Sequence, residues 1–145
     1  MNWVERLTGR TVAIDSAPLI YFMERHPVYF ELVRPFFEAL GRGDFKALTS
    51  VVTVTEVLVH PLRHGSFNLV NIYRDFFTQY LPVIPVTVEI AELAARLRAE
   101  NGLRTPDAIE VATAVNQGAG FFLTNDVRLD RLNQLEVLVL SDLND

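Results

Sequence analysis

The residues best equipped for chemistry in this sequence are carboxylates, and four stand out by their surroundings: Asp15, Glu56, Asp107 and Asp126. Asp15 directly follows the apolar run Val12-Ala13-Ile14, and Asp126 closes the run Phe121-Phe-Leu-Thr-Asn-Asp. Asp107 follows Thr105-Pro106, a pair that opens helices. Glu56 sits among Val54, Val57 and Leu58. An ionised Glu in so apolar a segment needs a partner, a cation or a place on the exposed stripe. Taken singly, each acid has an ordinary reading. Asp15 and Asp126 suit turns and helix caps. Asp107 suits the positive end of a helix dipole. Brought to one sheet edge, the four mean something else. Two unit charges about 4 Å apart repel by about 4 kcal/mol at an effective dielectric of 20. Protons or divalent cations must then neutralise them. A ligand set made only of oxygen suits Mg²⁺ or Mn²⁺ rather than zinc. Mg²⁺ on a few carboxylates is the usual apparatus of phosphoryl transfer.

Composition narrows the rest. The chain has 145 residues and no cysteine. Disulfides, zinc–thiolate sites, iron–sulfur clusters and cysteine nucleophiles are excluded. His26, His60 and His64 lie beside prolines or a glycine and read as surface or loop residues. Thirteen basic against 18 acidic residues give a net charge of −5, so there is no general basic coat for nucleic acid. With the four acids set aside for a cation, the remainder, 13 against 14, is close to neutral. The mean hydropathy of +0.20 is apolar for a soluble chain, which a large core or a buried partner interface would explain. No apolar stretch approaches the ~18 residues that span a bilayer. Met1 to Arg10 lacks the apolar block of a signal peptide. The expectation is one cytoplasmic domain over residues 1–145, with no membrane partner.

The acids need elements to hold them. Thr11 to Asp15 reads as a strand buried on both faces. Pro18 to Arg25 reads as a helical turn or two, with a break at His26-Pro27. Val28 to Leu40 is a helix with Gly41 as its stop. Lys46 to Thr49 is a short strand. Val51-Val-Thr-Val-Thr has β propensity, yet Val54, Val57 and Leu58 keep helical spacing, so a helix beginning near Ser50 or Val51 is expected. Phe67 to Leu81 is a helix, and Val83-Ile84, between two prolines, a short strand. Thr87 to Asn101 is a helix ending at Gly102. The next opens with Thr105 as cap and Pro106 in its first position, and ends at Gly118. Phe121 to Thr124 is a buried strand, Val127 to Leu132 a short helix, and Glu136 to Leu140 the last strand. Alternation of this kind predicts an α/β fold, a mostly parallel sheet with helices on both faces. Ligands bind such sheets at the carboxyl ends of the strands, where Asp15 and Asp126 fall.

Four pieces now match a known pattern: Val12-Ala-Ile-Asp15-Ser-Ala-Pro-Leu-Ile-Tyr21, Val54-Thr-Glu56-Val-Leu58, Thr105-Pro-Asp107-Ala-Ile-Glu-Val-Ala-Thr-Ala114 and Phe122-Leu-Thr-Asn-Asp126. In order and spacing the sequence resembles the PIN-domain ribonucleases, in particular the short toxins of VapBC-type toxin–antitoxin pairs. The last two pieces are the most specific. The resemblance implies a three-layer α/β/α sandwich. It implies a site of Asp15, Glu56, Asp107 and Asp126, holding one or two Mg²⁺ or Mn²⁺ ions and cutting RNA to leave a 5′-phosphate. Ser16, Thr124 and Asn125 would orient carboxylates or waters. Glu110, one turn after Asp107, and Asp130, one turn after Asp126, are candidate outer ligands. Arg104, three residues before Asp107, is the leading phosphate contact. A homodimer would form the RNA groove, and an antitoxin protein would be the partner. Phe30, Phe36, Phe37, Phe76, Phe77 and Tyr80 serve either the core or such an interface.

Other acidic-pocket classes fit less well. A phosphate-accepting signalling domain needs a lysine late in the chain, and the only lysine is Lys46. Ala17 breaks the Asp-x-Asp of a haloacid-dehalogenase-type phosphatase, and no phosphate-cradling glycine loop exists. Two alternatives stay open beside the toxin. One is an RNA-processing nuclease that is not a toxin. The other is a catalytically silent PIN-like module for RNA binding or scaffolding.

Overall fold

The structure is a computed structural model and describes residues 2–143. The elements follow in the order β1 (Thr11–Ile14), α1 (Ser16–Met23), α2 (Phe30–Arg42), β2 (Lys46–Ser50), α3 (Val51–Arg63), α4 (Phe67–Gln79), β3 (Val83–Ile84), α5 (Val88–Asn101), α6 (Thr105–Asn116), β4 (Phe121–Thr124) and β5 (Glu136–Val139). Short 3₁₀ turns cover Glu5–Leu7, Val127–Arg131 and Leu140–Asp142. The five strands form one sheet in the order β3-β2-β1-β4-β5, and every pairing is parallel.

Side chains alternate across the strands and so feed two cores. Val12 and Ile14 of β1, and Phe121 and Leu123 of β4, enter one core with Leu19, Phe36, Phe37, Val57 and Tyr73 from α1 to α4. Ala13 and Phe122 enter the other with Ile90, Leu97, Ala108 and Val111 from α5 and α6. The result is the α/β/α sandwich, with an all-parallel sheet between its helical layers. No described helix is long and apolar enough to cross a membrane. The aromatic residues serve mainly as core. Phe36 and Phe37 are buried, Phe76 and Phe77 pack against them, and Phe30 stacks on Phe22. Tyr80 alone of the six is exposed.

Among the boundaries that differ from those read from sequence, three show how caps compete. Helix α2 passes through Gly41 and stops at Gly43, whose φ of 80° is the left-handed conformation that closes helices. Helix α1 begins at Ser16 because the Asp15 side chain caps it, two residues ahead of Pro18. Helix α6 is capped at Arg104 rather than Thr105, which puts Pro106 in its second position. The start of α3 falls where expected. Ser50 accepts a hydrogen bond from Val52 N at 3.1 Å and caps it, and this outweighs the β propensity of the run that follows.

The chain moves from β1 through β2 to β3 on one side of the sheet, then to β4 and β5 on the other. The order reverses between β1 and β4, which pair with Ile14 opposite Leu123. At such a switch point the two following connections part and leave a crevice at the carboxyl ends. Asp15 follows β1 directly, and Asp126 lies two residues beyond β4.

Candidate active site

Asp15 is fixed at both oxygens. Oδ1 accepts the backbone N–H of Ser16 at 2.8 Å, and Oδ2 accepts the Thr124 hydroxyl at 2.8 Å. Thr124 ends β4 fully buried, and its Oγ1 also accepts Asp126 N at 3.1 Å. One hydroxyl thus ties the two strand-end acids together. A cleft of about 420 Å³ opens here. Its lining includes Asp15, Ser16, Tyr21, Glu56, Arg104, Asp107, Thr124, Asn125, Asp126 and Arg128. The four leading acids of the sequence therefore share one cleft, delivered by β1, α3, α6 and the turn after β4.

Glu56 reaches the cleft from an exposed position on α3. Burial of its carboxyl raises its pKa, and the charges of Asp15 and Asp107 add to this, while the Ser16 hydroxyl and Arg104 oppose it. Asp107 lies in the first turn of α6, and its Oδ2 accepts Arg104 Nε at 3.1 Å. Asp126 caps the 3₁₀ turn that follows it. Its Oδ1 accepts Arg128 N at 3.0 Å and Arg128 Nε at 2.9 Å, and its Oδ2 accepts Arg128 Nη2 at 2.6 Å. The Arg128 side chain holds the Asp126 carboxyl below its ordinary pKa.

Glu110 lies behind the cleft wall and is 3 % exposed. Oxygens of Asp15, Glu56 and Glu110 lie within 4.8 Å of one another. Burial first, then the charge and proximity of Asp15, push the Glu110 pKa well up. Thr49 Oγ1 donates to Ile14 O at 2.8 Å and lies 2.7 Å from Thr53 Oγ1, and Thr53 Oγ1 donates to Glu110 at 2.9 Å, a contact that favours the carboxylate and opposes part of the rise.

Two of the expected residues touch none of the four acids. Asn125 lines the cleft but touches no carboxylate. Its Nδ2 donates to the Tyr21 hydroxyl at 3.2 Å, and its Oδ1 accepts Ser141 N at 3.0 Å, so it fixes the wall rather than an acid. Asp130 is exposed and absent from the cleft. The segment after Asp126 is a 3₁₀ turn, and with three residues per turn the fourth residue on points away. Ser16 and Thr124 do meet acids, as described.

Sequence reasoning missed Arg128, Tyr21 and the Thr49–Thr53 pair. The spacing of the two threonines, four apart in an apolar stretch, was the available signal for a buried polar chain. Arg128 had one as well: it stands two residues after an acid expected to cap.

The donor set fits a hard divalent cation. Two oxygens on opposite sides of one Mg²⁺ lie about 4.2 Å apart, given bonds of about 2.1 Å. The 4.8 Å spread of Asp15, Glu56 and Glu110 is within a small side-chain adjustment of that. A cation would also offset the crowded charge that, after burial, helps lift the pKa of Glu56 and Glu110.

A parallel α/β sandwich with an acidic cleft at its switch point defines the class of protein. The particular family follows from its sequence: a model of the PIN domain matches residues 12–135, and the chain belongs to the PIN domain family. Solved structures share the fold. A VapBC complex from Rickettsia felis, bound to a DNA fragment from its promoter, holds a chain with 16% identity and a TM-score of 0.72, over 89% of this chain and 98% of that one. A toxin–antitoxin complex from Klebsiella pneumoniae gives 21% identity and a TM-score of 0.71, over 89% and 97%. A VapC toxin of Mycobacterium tuberculosis, described as cleaving the sarcin-ricin loop, gives 13% and 0.63, over 77% and 86%. No curated protein matches the sequence.

Proposed function

We propose that this protein, over residues 1–145, is a Mg²⁺- or Mn²⁺-dependent ribonuclease and the toxin of a toxin–antitoxin pair. The observation that carries this reading is the convergence of Asp15, Glu56, Asp107 and Asp126 on one cleft beside Arg104. PIN-domain membership and the likeness to toxin chains of toxin–antitoxin complexes support it. Asp15, Glu56, Asp107 and Asp126 would hold the cation, with Glu110 joining from beneath, its carboxylate oxygen within 4.8 Å of oxygens of Asp15 and Glu56. Bound there, the cation supplies an activated water and neutralises charge on the scissile phosphate. The chain's own residues do the rest. Ser16 N and Thr124 Oγ1 keep Asp15 in one orientation. Arg104 Nε, now on Asp107, faces the cleft where a phosphate would enter.

An antitoxin and a second copy of the chain are the proposed partners, and the cytoplasm the proposed location. Five of the ten large exposed hydrophobic residues among those described, Val51, Val59, Leu62, Phe67 and Ile72, sit on α3 and α4. They supply the apolar surface such partners require.

The test is cleavage of a structured RNA by purified protein with Mn²⁺, with EDTA, and with Asp107→Asn. Cleavage is expected with Mn²⁺ alone and is expected to vanish in the other two. Equal cleavage by Asp107→Asn sinks the assignment. Metal binding without cleavage of any RNA favours the silent binding module.

A further inference from the structure

Two arginines line the acidic cleft, Arg104 and Arg128. Arg131, on the same turn as Arg128, is committed to the backbone carbonyls of Asn101 and Arg128. Arg128 is held differently from Arg104. It places a planar fork on Asp126, with Nε on Oδ1 and Nη2 on Oδ2. Arg104 makes a single contact through Nε.

This fork conflicts with the cation. Oδ1 of Asp126 accepts both Arg128 N and Arg128 Nε, which uses both of its lone pairs. Oδ2 keeps one. While the fork is in place, Asp126 can offer a cation no more than one lone pair. One lone pair suffices for a single bond to the cation, but the guanidinium and the cation then share one carboxylate and their like charges repel across it. The side chains also differ in freedom. That of Arg128 is 60% exposed and that of Asp126 20%, so the arginine is the partner that can leave.

Charge says where it would go. The cleft lining carries four carboxylates and two guanidinium groups, a formal −2 that repels a nucleic-acid phosphate. One divalent cation would bring it to neutrality, with the Arg128 fork beside a site that must receive an anion. Carboxylate and phosphate accept a guanidinium in the same two-point geometry. Arg128 is tethered two residues from Asp126, so its released fork stays at the cleft rim.

Building on the ribonuclease reading above, we propose that Arg128 is a phosphate-binding residue. Its guanidinium exchanges the Asp126 carboxylate for a phosphate of the RNA strand when a divalent cation occupies the cleft. Asp126 is thus a placeholder for substrate in the metal-free protein, and RNA affinity becomes conditional on the cation.

The intact protein tests this with two probes. Mn²⁺ alone is titrated calorimetrically. A fluorescein-labelled, fully 2′-O-methylated single strand, which resists cleavage, is followed by anisotropy with and without Mn²⁺. In the wild type, Mn²⁺ is expected to strengthen strand binding. Arg128→Ala is expected to bind Mn²⁺ as tightly or several-fold more tightly, because a competitor is gone. It is expected to bind the strand about ten-fold more weakly in Mn²⁺, and its log–log salt slope should shrink by about 0.7, one phosphate contact on a single strand. Arg128→Lys should restore the slope but not the affinity, since an ammonium cannot fork. Equal melting temperatures would show that both variants keep the fold. Strand affinity and slope unchanged in Arg128→Ala overturn the proposal. So does weakened Mn²⁺ binding, which would make Arg128 a mere support for Asp126. A wild type that binds no strand in Mn²⁺ overturns the ribonuclease reading and this assignment with it. Strand binding that ignores Arg128 overturns only the latter.

Discussion

At the scale of single residues, Glu110 shows how burial changes a side chain's character. Its carboxyl is enclosed and placed beside Asp15, so its pKa lies well above that of an exposed Glu, although the Thr53 hydroxyl bonded to it opposes the rise. Glu110→Gln has the same shape and can still accept the Thr53 hydroxyl at its amide oxygen, so the metal-free protein should keep its melting temperature near pH 4.5. Glu110→Ala takes from Thr53 its carboxylate partner, leaving the contact with Thr49, and opens a hole, and should cost about 1–3 kcal/mol in denaturant unfolding. The pH dependence has a definite sign. A carboxyl with a raised folded pKa gives its full stabilisation below its ordinary value of 4.5, and loses it as pH rises toward the folded value. Glu56 acts in the same direction. The metal-free protein should therefore melt at lower temperature as pH rises above 4.5, and Glu110→Gln should flatten that slope. Thr124 belongs here too. Thr124→Val removes the hydroxyl that orients Asp15, and should weaken Mn²⁺ binding or activity by about 10–100-fold, as lost ligand support does elsewhere. The leading acids were legible in the sequence because Asp15, Asp107 and Asp126 stand at recognisable boundaries, a strand end or a helix start, and Glu56 stands in an apolar stretch of α3. Glu110 was less so, since only packing reveals which face of α6 looks into the protein. The arginine on Asp126 needed the actual turn.

At the scale of elements, the site depends on where β1 and β4 end and how α6 begins. Alternating strands and helices were readable because apolar runs of four residues and helical repeats of twelve or more look different. The ends were less readable, because caps compete. Asp15 captured the start of α1 ahead of Pro18, and Gly43 rather than Gly41 ended α2. Whether a glycine stops a helix depends on which one reaches left-handed φ in context, and spacing alone does not tell. Gly43→Ala must adopt φ near 80° with a side chain and should lose about 1–2 kcal/mol in equilibrium unfolding. Gly41→Ala, inside the helix, should be neutral or stabilising by about 0.5–1 kcal/mol. Asp130 illustrates the same limit: α-helical spacing pointed it at the site, and a 3₁₀ turn carried it away.

At the scale of the whole molecule, an acidic protein is proposed to cut an anionic polymer. The net charge of −5 is not spread evenly in its consequences. Four acids are concentrated where a cation would offset them, and two arginines already sit among them. The same scale holds the partner question. Phe67 is 66% exposed at the start of α4, far above what a core aromatic shows. If this surface joins two copies of the chain, Phe67→Glu should shift sedimentation from dimer to monomer while leaving the melting temperature unchanged. The central claim remains the acidic cleft as a cation site, and its most direct measurement is a calorimetric titration of Mn²⁺ into the wild type and Asp15→Asn. Saturable binding in the wild type that is lost in Asp15→Asn, with both proteins folded by circular dichroism, is the predicted result. No binding in the wild type, or undiminished binding in Asp15→Asn, would contradict it.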